Sequence, residues 1–298
     1  MKPLLALFLA LCLQSTLSGQ ANKGRVLPEG VVVERDIVYE RVGDRELPLD
    51  LYRPADTREP LPLVIWVHGG GWRKGSKEGI RNCVGVLNHG YALASVEYRL
   101  SGEAIFPAAI EDCKAAVSFL RLNAERYGLD PERFGAWGSS AGGHLVALLG
   151  ATNDVDDFNT HPITEKASPA VQAVCNWFGP TDFLRMNDVP GRIDHDARDS
   201  PESLFLGGPI QENKHLARKA NPITYVSPSD PPMLIMHGDK DAAVIFNQSE
   251  LLAAALEKAG VPHRLHKVVN GGHGFGGADE SREALFERVL SFFNEELK

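Results

Sequence analysis

Cysteine is scarce, with four residues in a chain of 298. Cys12 sits in an N-terminal apolar stretch. The other three, Cys83, Cys113 and Cys175, are odd in number and widely spaced, which excludes both a disulfide framework and a metal-ligand pattern. Cys113 falls on an expected helix and Cys175 on an expected strand, where a thiol acts as a small buried hydrophobe. Basic runs are missing too. Lys and Arg total 31 against 39 Asp and Glu, a formal charge of -8, so the chain lacks the basic footprint that nucleic acid or an anionic membrane needs. Repeats and low-complexity tracts are absent, which leaves one large domain as the simplest organisation. Apolar runs long enough to span a bilayer are also lacking. Leu4 to Leu13 is too short, and with Lys2 before it and Ser15, Thr16, Ser18 and Gly19 after it it has the layout of a cleavable signal peptide over residues 1–20. Leu11 directly before Cys12 does not suit a lipoprotein signal. The expectation is an exported protein, secreted or periplasmic, with no membrane span once the signal is removed.

What is present is an alternation of elements. Val31–Tyr39 and Glu46–Tyr52 read as a strand pair joined by a turn at Gly43-Asp44. Leu63–Val67 is a continuous apolar run, the kind of strand buried on both faces of a parallel sheet. Tyr91–Tyr98 is a further strand, and Pro107 to Tyr127 a long amphipathic helix on which Ala109, Cys113, Ala116, Phe119 and Leu120 share a face. Strands at Phe134–Trp137, Val171–Trp177, Met233–Met236 and Leu265–Val269 alternate with helices at Ala141–Leu149, Gln248–Ala259 and Glu280–Glu296. This order implies parallel βαβ units, an α/β fold with a mostly parallel sheet flanked by helices. One stretch breaks it. Thr181 to Pro231 is polar and rich in Asp, Pro and Gly, with an N-cap signature at Ser200-Pro201-Glu202. It reads as an insertion, at about residues 181–231 of a single domain spanning 21–298, laid over the functional edge of the sheet.

The chemistry is concentrated in short motifs. Gly138-Ser139-Ser140-Ala141-Gly142-Gly143 lies between a strand and a helix, the context of a G-x-S-x-G nucleophile elbow. The turn is so sharp that residues two before and two after the serine must lack side chains. Ser140 meets that condition, whereas Ser139 would need glycine where Trp137 and Ala141 stand. His68-Gly69-Gly70-Gly71-Trp72 follows the buried strand and resembles the HGGG motif of esterases and lipases, whose bare backbone N–H groups stabilise an oxyanion. The expected donors are Gly70, Gly71 and Ala141, with Trp72 able to replace one of the glycines. His68 reads as a buried residue holding that loop. In such a fold the chain order is nucleophile, acid, base. His273, in a glycine-rich loop beyond the Leu265–Val269 strand, is the candidate base. For the acid, Asp239, Asp241 and Asp182 all qualify by position.

Taken together and in register, HGGGW, GSSAGG, HGDKD and GGHGF resemble the acetyl- and feruloyl-esterase branch of the α/β-hydrolases, the BD-FAE-type carbohydrate esterases, from about Leu49 to the C-terminus. The resemblance implies that the acid is the last residue of the H-G-x-x-D pattern, Asp241, and that Asp239 is a solvated turn residue. Ala242-Ala243 departs from the Pro or polar residues common there, which bears on the pocket. No helical cap precedes His68, so the site is expected to be open to bulky esters. The implied activity is a cofactor-independent serine esterase acting on short acyl groups, acetyl or feruloyl esters of polysaccharides included, with no metal. A formamidase of the kynurenine-formamidase type, which has a similar HGG-x-W motif, and a non-catalytic binding relative are the alternatives. Three further readings are structural. Asp194, His195, Asp196 and Asp199 form a solvated loop, His144 packs against the sheet, and Arg99 pairs with Asp112. If the first 20 residues are an export signal, N-terminal sequencing of exported protein will start near residues 18–21; recovery of Met1 on that material would sink the expectation.

Overall fold

The computed structural model describes residues 27–298, so the expected signal segment and Cys12 lie outside the described residues. In chain order the elements are β1 (Val31–Val42), β2 (Arg45–Pro54), β3 (Leu61–Val67), β4 (Ala92–Val96), α1 (Ala108–Leu122), α2 (Ala124–Tyr127), β5 (Leu129–Ser139), α3 (Ala141–Ala151), β6 (Ala173–Trp177), α4 (Pro201–Leu206), α5 (Lys214–Lys219), β7 (Met233–Gly238), α6 (Asn247–Ala259), β8 (His263–Val268) and α7 (Arg282–Leu297). The strands form one eight-stranded sheet in the order β1-β2-β4-β3-β5-β6-β7-β8. β1, β2 and β4 pair antiparallel, and every pairing from β4 onwards is parallel. Among the described residues no helix is long and apolar enough to cross a membrane.

The two-residue period of a strand explains the two cores. In β3, Leu61, Leu63, Ile65 and Val67 enter one layer, with α1, α3 and α6, while Val64 and Trp66 enter the other, with α7. β5 sends Phe134 and Ala136 to the first layer and Trp137 to the second, and β7 divides Met233 and Ile235 from Leu234 and Met236. Central strands therefore need apolar side chains at every position, which is why Leu63–Val67 reads as an unbroken run. The edge strands β1 and β8 are only partly covered and carry charged residues. Cys113 is buried in the first layer and Cys175 in the second, both as thiols, and Cys83 is buried in the second.

One expectation needs correction. The helix expected over Pro107–Tyr127 is two helices, divided at Asn123, whose backbone leaves the helical region (φ -105°, ψ 18°) and whose side-chain amide donates to the Phe119 carbonyl at 2.8 Å. This is the ordinary competition of an Asn side chain with the helical ladder. The segment between β6 and β7 is less detached than its polar composition suggests. Phe183, Phe205, Leu206, Ile210, Ala217 and Ala220 are buried in the same apolar layer as the sheet. Phe205 of α4 stacks on Trp72 at 4.6 Å, and Phe183 meets the same indole edge-on at 5.4 Å.

Arg99 pairs with Asp112 as expected. The fully buried Asp112 carboxylate accepts from the Arg99 backbone N–H at 2.8 Å and from its guanidinium at 2.6 Å, and the His161 imidazole lies 3.2 Å away. The pair fastens the chain leaving β4 to the first turns of α1. Removing one member of a buried pair strands the other charge, a loss of roughly 3–5 kcal/mol. Arg99→Met should therefore lower the unfolding free energy by an amount on the order of 3 kcal/mol, read as a lower urea midpoint at unchanged slope; a midpoint within experimental error of the parent would refute the role.

Candidate active site

β5 runs into α3 through a single residue. Ser140 holds φ 54° and ψ -122°, a conformation costly for any residue with a Cβ. It is held there by two backbone bonds, Ser140 N–H to the Trp177 carbonyl of β6 at 2.9 Å and His144 N–H to the Ser140 carbonyl at 3.0 Å. The flanking glycines are required by contact. A Cβ on Gly138 would stand 2.2 Å from the Gly142 carbonyl oxygen, and one on Gly142 would stand 2.0 Å from that of Val67.

The chain leaving β3 forms the facing wall. Gly70 has φ 121°, and a Cβ there would overlap the Lys74 carbonyl oxygen at 2.0 Å. The N–H groups of Gly70 and Gly71 find no acceptor among the described residues, and neither does that of Trp72. Ala141 is the first residue of α3, so its N–H is one of the donors a helix leaves unpaired. Gly70, Gly71, Ala141, Ser140 and His273 all border one cavity of about 460 Å³. His68 stays behind this wall. Its ring stacks on Tyr98 at 4.4 Å, Nδ1 donates to the Gly69 carbonyl at 2.8 Å, and burial lowers its pKa.

The base and acid candidates arrive from β8 and β7. His273 Nε2 lies 3.1 Å from Ser140 Oγ, and Nδ1 lies 2.7 Å from Asp241 Oδ2. A carboxylate only accepts, so Nδ1 carries the proton and Nε2 is free to receive one from the serine. Asp241 is fully engaged. Its other oxygen accepts from the N–H groups of Ala243 at 2.8 Å and Val244 at 3.0 Å. His237 Nε2 donates to the Val244 carbonyl at 2.8 Å and lies 3.4 Å from Asp241 Oδ2. Burial alone would raise the Asp241 pKa, but hydrogen bonds from His237 and His273, with the His273 charge and the Val244 N–H, hold it well below the usual carboxylate range.

The other acids are elsewhere. Asp182 caps the turn Phe183–Arg185 by accepting from the Leu184 N–H at 3.1 Å. Asp239 makes no hydrogen bond or ion pair with His273; it is half-buried rather than solvated, with one carboxylate oxygen enclosed and unpartnered. His144 is a packing residue, but against the glycine loop and the segment between β6 and β7 rather than against the sheet. Its Nε2 donates to the Ala220 carbonyl at 2.7 Å, its ring meets Trp72 edge-on at 5.2 Å, and burial brings its pKa down to about 4.

One reading fails. His195 is not in a solvated loop: it is 2% exposed, its Nδ1 lies 3.0 Å from Glu202 Oε2, and both residues line the cavity over Ser140. Spacing did not disclose the pair because His195 lies in the loop ahead of α4 and Glu202 inside it. Sequence reasoning also passed over Phe178, whose ring meets His273 edge-on at 4.9 Å, and Arg192, which borders the cavity.

With this geometry established, comparison with known proteins identifies the family. A sequence model of the BD-FAE family matches residues 49–256. The chain belongs to the BD-FAE family. Its match holds Ser140 and Asp241 and stops short of His273. Esterase LipQ of Mycobacterium tuberculosis is 31% identical over 256 residues, 84% of this chain and 59% of LipQ. The BD-FAE chain described here thus spans about two-fifths to three-fifths of the length of the curated relatives it matches. A truncated carbohydrate esterase from gut microbiota superposes with a TM-score of 0.79 at 30% identity, covering 89% of this chain and 96% of that one. Est2, a thermophilic esterase from Thermogutta terrifontis, superposes with a TM-score of 0.70 at 26% identity over 90% of this chain and 91% of its own. Est2 has also been solved with propionate and butyrate bound and phosphorylated by paraoxon. The fold is that of the α/β-hydrolases.

Asp241→Asn keeps the shape but removes the charge that orients and stabilises the imidazole. A fluorophosphonate probe should label Ser140 about 10³–10⁴-fold more slowly in this variant. The depressed pKa of Asp241 adds stability that is present above about pH 4 and lost as pH falls through its folded-state value. The stability advantage of the parent over Asp241→Asn should therefore shrink in strong acid, as read by urea unfolding at pH 7 and pH 3.

Proposed function

We propose that this protein is a serine carboxylesterase for short-chain acyl esters, exported from the cell and acting on acetyl or feruloyl groups carried by polysaccharides. The observation that carries the reading is the unbroken chain Ser140 Oγ, His273 Nε2, His273 Nδ1, Asp241 Oδ2, with steps of 3.1 and 2.7 Å, ending beside unclaimed backbone donors. In this mechanism Ser140 attacks the ester carbonyl while His273 Nε2 takes its proton. The carbonyl oxygen gains charge and is received by N–H groups of Gly70, Gly71 and Ala141, a term for which one donor is worth about 10²–10³ in rate. His273 returns the proton to the departing alcohol oxygen, leaving an acyl group on Ser140. Water, deprotonated by the same imidazole, then releases the acid.

Short acyl groups are supported by the size of the cavity, about 460 Å³ shared between both halves of the ester, and by the propionate and butyrate complexes of Est2. The polysaccharide is supported by the likeness to a carbohydrate esterase from gut microbiota. Export is supported by the composition of residues 1–20. The test compares 4-nitrophenyl acetate, butyrate and octanoate with the parent protein and Ser140→Ala. Acetate and butyrate should be turned over faster than octanoate, and the variant should lose at least about 10³-fold. A parent that cleaves N-formylkynurenine and no ester would instead be a formamidase, and one inert to both a binding protein.

A further inference from the structure

The mouth of the cavity over Ser140 carries charge of one sign. Arg73 and Lys74 follow the glycine loop, and Arg192 is fixed beside the acid loop by its backbone N–H, which donates to the Ala242 carbonyl at 2.7 Å. All three are exposed and border the cavity. Their placement is close to the chemistry. Arg73 Nε would lie 3.9 Å from a Cβ on Gly71, and Lys74 Cγ would lie 3.2 Å from one on Gly70. None of the three makes an ion pair among the described residues, as is also true of exposed Arg58, Lys166 and Lys258; what sets the three apart is that they border one cavity. The one acid on the cavity lining is Glu202, which is buried against His195.

Three unmatched cations thus share one opening of a chain whose net charge is -8. Cations kept free of partners at a site where charge is screened mainly by solvent raise the local concentration of anions and favour their retention. The cavity is also not closed to long ligands. Gly69, Asn82 and Ser139 border both it and an adjoining cavity of about 440 Å³, whose lining carries one acid, Glu78, so a saccharide chain has room to continue beyond the reacting ester.

We infer that the preferred substrate is an acyl ester on an anionic saccharide, with Arg73, Lys74 and Arg192 receiving the negative groups of sugars near the esterified one. This rests on the esterase reading of the site. The shared chemistry is a fixed anion on the glycan, supplied either by uronate carboxylates or by sulfate esters.

The experiment uses dextran, polygalacturonate and dextran sulfate acetylated to the same degree, with acetate release followed at low and high ionic strength. The neutral ester 4-nitrophenyl acetate is measured alongside. Hydrolysis of at least one anionic polymer should exceed that of acetylated dextran in kcat/KM by about tenfold at low salt. The ratio should fall towards one as ionic strength approaches 1 M. Preference for polygalacturonate assigns the carboxylate, preference for dextran sulfate the sulfate, and preference for both a general anion site. The combined variant Arg73→Gln, Lys74→Gln, Arg192→Gln should bring the ratio near one at low salt. Equal or poorer turnover of both anionic polymers, alongside active 4-nitrophenyl acetate hydrolysis, overturns the inference and leaves the esterase reading standing, as does a ratio that the combined variant does not change. Failure on 4-nitrophenyl acetate as well overturns both.

Discussion

The close passage of α3 beneath the end of β3 governs the rest of the site. Val67 and Gly138 are paired across neighbouring parallel strands, so the glycine loop and the serine turn leave the sheet side by side. Gly142, the second residue of α3, then passes so near the Val67 carbonyl that a methyl group would stand 2.0 Å from it. This contact sets the distance between the nucleophile and the donors that face it. The same device recurs on the other side of the nucleophile. Gly238 of β7 pairs with Val268 of β8, and the loops bearing Asp241 and His273 diverge from that point. Four loops therefore meet at one sheet edge because their strands are hydrogen-bonded in parallel register, which places all their C-terminal ends together.

Electrostatics makes the arrangement durable. A buried carboxylate is expensive unless its acceptors are filled. Asp241 receives two backbone N–H groups on one oxygen and the His273 imidazole on the other. His237, itself held by Ser249 and the Val244 carbonyl, stands behind it. The carboxylate thus remains charged and has one orientation. The segment between β6 and β7 plays a comparable part for the glycine loop. The Trp72 indole packs in a cluster of Phe183, Phe205 and His144, and Pro201 at the start of α4 lies against Gly71. The loop is thus held by packing against this segment, and His195 and Glu202 come to the cavity from it.

Much of this could be read without coordinates, because tight backbone geometry leaves a direct mark on composition. The turn at Ser140 demands glycine at 138 and 142, and adjacent Ser139 fails the same requirement. The central strands, covered on both faces, show as uninterrupted apolar runs. Other features left no such mark. The polar average of residues 181–231 concealed Phe183, Phe205 and Ile210, each buried. Asn123 divides a helical pattern whose apolar period continues across it. His195 sat among aspartates and read as solvent-exposed, although a single glutamate on the next helix encloses it.

The sequence by itself singled out the candidate nucleophile, the glycine loop, the candidate base and the α/β class, since each follows from short-range rules of turn geometry, periodicity or chain order. Only the tertiary structure decided among Asp182, Asp239 and Asp241. All three follow strands at the same sheet edge, and resemblance to a family favoured one without showing a contact. The choice depends on which carboxylate lies within hydrogen-bonding distance of an imidazole 32 residues further along, and that imidazole must also reach a serine 133 residues away. Separations of that length are set by strand order and register in the sheet, and no local pattern of residues encodes them.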